Sequence, residues 1–72
     1  MHTTATIRIE LNGAPRELRA GATVAELLQE LGLRPEVVAI EVNQALVPRA
    51  ERERRTLADG DRVELVTLVG GG

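Results

Sequence analysis

The chain has 72 residues, no cysteine and no aromatic residue, and its nine arginines and eleven acids leave a net charge of −2. One small domain is expected, with a limited core and no disulfide to support it. The interleaved charges and missing stacking rings argue against a nucleic-acid partner, and the short apolar runs argue against a membrane span.

With no basic-then-apolar leader at the start, the expected setting is the cytoplasm. Serine, lysine and tyrosine are also absent, and the one histidine is His2. Covalent catalysis needs an activated nucleophile with a base held beside it. Only threonines and carboxylates remain for that role, so the chain is poorly equipped to catalyse alone. His2 is read as part of the starting segment, and neither a metal site nor a bound cofactor is expected.

Residues 4–20 predict a hairpin. Ile7, Ile9 and Leu11 alternate with Thr6, Arg8 and Glu10, the period of a strand with one wet face. Asn12-Gly13 supplies a tight turn, because both residues tolerate positive φ. Leu18 and Ala20 continue the inward face on a second strand, and Pro15 near its start suits a sheet edge.

A helix follows. Thr23 and Glu26 have the spacing of a capping box, and Val24, Leu27, Leu28 and Leu31 fall on one apolar stripe. Gly32 suits a left-handed stop and Pro35 bars continuation. Val38, Ile40 and Val42 then share one face of a third strand, Asn43-Gln44 begins a turn, and Leu46-Val47 forms a short strand before Pro48. The charge-dense run 49–56 reads as a solvated loop or short helix, with a partner-docking surface as the alternative. Residues 57–61 form a turn around Asp59-Gly60.

The last strand spans 62–69. Val63, Leu65 and Thr67 are expected to face the core, with Glu64, Val66 and Leu68 on the opposite face. Exposed apolar residues there mark either a docking site or side chains shielded by long neighbours. The order of elements, with the last strand beside the first in the centre, predicts an α+β fold. It is a β-grasp (ubiquitin-like) mixed sheet packed on one helix. The domain is expected over 1–69, followed by a flexible glycine tail over 70–72.

Three uses of Gly70, Gly71 and Gly72 can be compared. A phosphate-cradling loop needs a helix or a lysine after the glycines, and neither follows. An inert linker is the bland reading. The third is a substrate tail. Three extended residues reach roughly 10 Å, and without side chains they can thread a narrow channel in another enzyme. The carboxylate of Gly72 would be an unhindered acyl group once a partner converts one oxygen to a leaving group, for example by adenylation with ATP. The carrier then needs no catalytic residue of its own.

The stretches LNG (11–13), TVAELLQELGL (23–33), VAIEVNQALVPR (38–49) and LADGDRVELV (57–66), with the final Gly-Gly, resemble the ThiS family of sulfur carrier proteins in thiamine biosynthesis. The resemblance implies a ubiquitin-like β-grasp fold and a two-step activation. A ThiF-type enzyme, using ATP and magnesium, would adenylate the carboxylate of Gly72, and sulfur would replace an oxygen to give a thiocarboxylate. That sulfur would go to thiazole synthase. Gly71 and Gly72 map onto the family's diglycine, and Gly70 stands where another residue is usual. Related carriers for molybdopterin synthesis, tRNA thiolation or protein modification compete with this reading. Beyond them stands a non-catalytic β-grasp interaction module.

Overall fold

In the computed structural model, residues 5–68 are described. The expectations for His2 and for Gly70, Gly71 and Gly72 lie outside them. Five strands and one helix follow in the order β1 (Thr6–Leu11), β2 (Ala14–Arg19), α1 (Val24–Glu30), β3 (Val38–Val42), β4 (Ala45–Leu46) and β5 (Arg62–Thr67). Short 3-10 turns lie at Pro35–Val37 and Arg49–Glu51.

The sheet order is β2-β1-β5-β3-β4. β1 pairs antiparallel with β2 and parallel with β5, and β3 pairs antiparallel with both β5 and β4. The last strand therefore sits beside the first in the middle of a mixed sheet, which is the β-grasp arrangement. β2 is an edge strand, where Pro15 removes no inner ladder bond.

Both hairpins turn on two residues with positive φ: Asn12 (+48°) with Gly13 (+84°), and Asn43 (+52°) with Gln44 (+71°). Such turns match the right-handed twist of the strands they join.

Helix α1 begins as the sequence indicates. The Thr23 side chain accepts from the Glu26 N–H, and the Glu26 carboxylate accepts from the Thr23 N–H. It ends in a Schellman motif. Gly32 (φ +72°) donates to the Gln29 carbonyl, and Leu33 donates to that of Leu28. Leu31 is the cap residue and packs half-buried on the core. The buried face of α1, Val24, Leu27 and Leu28, meets Ile9, Leu18, Ile40, Val42 and Val63 from the sheet. Burying each such side chain contributes about 1.5–3 kcal/mol relative to leaving it wet. Two ion pairs, Arg16–Glu30 and Arg19–Glu26, join β2 to the helix surface.

The charge-rich stretch after Pro48 behaves less simply than a solvated loop. It contains the short helical turn, and most of its side chains are exposed. Its backbone, however, docks on the start of α1. The Val24 and Ala25 N–H groups donate to the Arg55 and Arg52 carbonyls, satisfying two donors that a helix start cannot pair internally. Arg52 is buried, at 5% exposure. Its guanidinium donates to the carbonyls of Pro35 (2.9 Å) and Val38 (2.6 Å), tying this loop to the start of β3. Leu57, placed in a turn from sequence, is also buried in the core.

Candidate functional site

β5 carries the segment that leads towards the glycines, and two asparagines fix where it lies. β1 and β5 pair only at Glu10–Arg62 and Leu11–Val63. Where β1 turns away, Asn12 continues the pairing. Its N–H donates to the Val63 carbonyl, its Oδ1 accepts from the Leu65 N–H at 2.7 Å, and its Nδ2 donates to the Leu65 carbonyl. From the opposite side, Asn43 Oδ1 accepts from the Arg62 N–H and its Nδ2 donates to Asp61 Oδ1. The side chains at the tips of the two hairpins thus grip the same strand.

Past Leu65 the support becomes one-sided. β3 stays paired through Val38–Thr67, and the Leu68 N–H donates to the Val37 carbonyl at 2.6 Å. On the β1 side no strand of the described residues accompanies Thr67. This corrects the reading of Thr67 as a core residue. It is exposed, because β1 stops at the level of Val63 and leaves the end of β5 uncovered. Val63 is fully buried and Leu65 packs half-buried on the core, as expected.

The opposite face of β5 presents Val66 at 58% exposure and Leu68 at 53%. Ala39 lies directly across from Val66. Leu46, at 63% exposure, pairs with Glu41, which also faces Glu64 across β5. Val66 and Leu68 are therefore open to solvent, and long neighbouring side chains do not shield them. The short strand before Pro48 is Ala45–Leu46, shifted by one residue from the expected pair, so Leu46 faces out and Val47 is buried.

The charged groups that depart from ordinary titration lie away from this face. The Glu26 carboxyl is held below its usual range, first by the Thr23 backbone N–H and then by Arg19. The Glu36 carboxyl is lowered by its own backbone N–H and by Arg34. Burial lowers the pKa of Arg52, with a smaller push from Arg49. A cleft bordered by Ala25, Leu28, Pro35, Arg49 and Arg52 opens beside α1, on the helix side of the sheet. It contains none of the residues singled out at the end of β5. Among the described residues no three His, Asp or Glu side chains gather where they could hold a metal ion, and no helix is long and apolar enough to cross a membrane.

Sequence reasoning missed two features here. Asn12 and Asn43 stood out only as turn residues, whereas their side chains also hold β5. The common signal was an asparagine, rather than an aspartate, at each turn, since only an amide can both accept and donate along a strand edge. Arg52 carried no signal, because in a run of charges it looks like its neighbours.

Known proteins place the chain further. The ThiS family model matches residues 9–72. The sulfur carrier protein ThiS of Thermus thermophilus is 44% identical over 62 residues, covering 86% of this chain and 95% of that one. A thiazole synthase of Magnetococcus marinus is 42% identical over 66 residues, covering 92% of this chain. The chain spans only about a fifth of the length of the thiazole synthases it matches. The crystal structure of a thiamine biosynthesis protein (ThiS) from Geobacter metallireducens superposes with a TM-score of 0.79 at 32% identity, covering 92% of this chain and all of that one. With the family model running through nearly the whole sequence and the β-grasp sheet in place, the chain belongs to the ThiS family.

Proposed function

We propose that the chain is a sulfur carrier for thiazole formation in thiamine biosynthesis, acting as a substrate of other enzymes rather than as a catalyst. The observation that carries this reading is the family match through residues 71 and 72, the diglycine positions, on a fold whose central strand leads towards them. A ThiF-type enzyme with ATP and magnesium is the proposed activator, and the cytoplasm the proposed setting. An oxygen of the Gly72 carboxylate attacks the α-phosphorus of ATP and pyrophosphate leaves. Sulfide then attacks the acyl carbon of the adenylate, AMP departs with the bridging oxygen, and a thiocarboxylate remains.

Thiazole synthase is the proposed recipient of the sulfur. Its support is that relatives bearing that name contain a segment similar to this chain. In this reading Gly70 and Gly71 thread the active site of the activator, and Val66 and Leu68 rest on its surface. The glycines suit that task because backbone without side chains can follow a narrow channel. The test is intact mass after incubation with a ThiF-type enzyme, MgATP and a sulfide source. One oxygen exchanged for one sulfur at Gly72 is expected, and deletion of Gly71 and Gly72 abolishes it. An unmodified chain after full ATP turnover by the activator on a known carrier would overturn the reading.

A further inference from the structure

The outer face at the end of β5 carries an electrostatic feature that its apolar residues do not explain. Glu41 on β3 and Glu64 on β5 are register partners and emerge on the same face. Directly opposed residues on neighbouring strands lie only about 4.5–5.5 Å apart at Cβ, and like charges so placed oppose one another. Among the described residues neither carboxylate takes part in an ion pair. The cation on the same face of β5, Arg62, is already engaged by Glu10 at 3.1 Å. The two acids sit between Leu46 on one side and Val66 with Ala39 on the other, and Leu68 extends the apolar surface towards residues 69–72.

From this arrangement we infer that the surface is built for a protein presenting a basic side chain, arginine or lysine, ringed by apolar ones. The cation enters between Glu41 and Glu64 while apolar groups cover Leu46, Val66 and Leu68. Both carboxylates accept from it, and the repulsion that the free chain carries is relieved only in the complex. A second copy of this chain is a poor occupant. A two-fold pairing of the face would bring four carboxylates together with no cation among them. The occupant rests on the carrier reading above: it is the adenylating enzyme, since a protein receiving residues 69–72 must seat against the end of β5 from which they continue.

The experiment compares the full chain with E41Q, E64Q and the double variant, each against a ThiF-type enzyme with MgATP. Binding is followed by calorimetry and turnover by pyrophosphate release. The double variant should raise Kd and KM by about tenfold with kcat unchanged, since steering and docking change while the reacting end does not. Raising salt should weaken wild-type binding and leave that of the double variant nearly unaltered. The free double variant should melt no lower than wild type. This combination separates a docking role from a structural one, because a structural acid pair would lose stability when neutralised.

A double variant with wild-type Kd and the same salt dependence, while wild type is adenylated normally, overturns the inference and leaves the carrier reading standing. Wild type that is never adenylated overturns both. Self-association of wild type through this face, strengthened by E41Q/E64Q, would assign the surface to a second copy and also overturn the inference.

Discussion

The two halves of β5 are made of similar residues and meet opposite fates. Between Asp61 and Leu65 the strand is gripped from both sides, by Asn12 from one hairpin and Asn43 from the other, with Val63 sealed under α1. From Val66 to Leu68 only β3 holds it, and its apolar side chains face water. Valine at 63 and valine at 66 differ in burial from 0% to 58% within one turn of the pleat. The difference comes from what flanks the strand rather than from its own composition. A carrier of the kind proposed needs both halves, one to fix the exit point of the chain and one to meet the partner.

The largest expected effect comes from breaking the held half. Val63→Ala should cost about 2–3 kcal/mol, the scale of a core truncation that leaves a cavity, measured by urea denaturation. A loss no larger than that of an exposed valine would erase the distinction between the halves.

Asn12→Ala should cost about 1–2 kcal/mol, because it removes the bonds to Leu65 and places a Cβ-bearing residue without amide at positive φ. Asn12→Gly keeps the turn and loses only the grip, so it should cost less. Amide hydrogen exchange at Leu65 should speed up in both variants. If exchange there is unchanged, the asparagine grip contributes nothing.

Val66→Asp with Leu68→Asp tests the presented half. Each should change stability by under about 1 kcal/mol, since both side chains are more than half exposed. Together they should sharply weaken binding to a ThiF-type activator. Retained binding would reduce the patch to incidental exposure.

The smallest effect serves as a control away from β5. The Glu26 carboxyl sits below its ordinary value of 4.5 through the Thr23 N–H and Arg19. A folded pKa below the unfolded one means that its stabilisation is present above about that ordinary value. It is lost as pH falls through the lower, folded value. Glu26→Gln should therefore flatten the acid limb of the stability profile slightly, while leaving exchange at Leu65 unchanged. An identical acid limb in the two proteins would remove the capping carboxylate from the account.

Much of this molecule can be read locally. The Thr23–Glu26 box, the stripe through Leu27 and Leu28, the glycine stop and the alternation in β1, β3 and β5 each depend on neighbours a few residues away. The face of Val66 and Leu68 followed from the same alternation. Arg52 and Thr67 did not follow, because their environments are made by segments distant in sequence. Arg52 is buried by the start of β3, and Thr67 is bared by the early end of β1.

What the sequence determined by itself is therefore the set of elements, their inward faces and the family whose motifs they spell. Short-range spacing is enough for each of these. Only the tertiary structure decided that two hairpin asparagines grip one central strand, that an arginine in a charged run is buried, and that Glu41 meets Glu64. Register between strands more than twenty residues apart sets those contacts, and no local period in the chain encodes it.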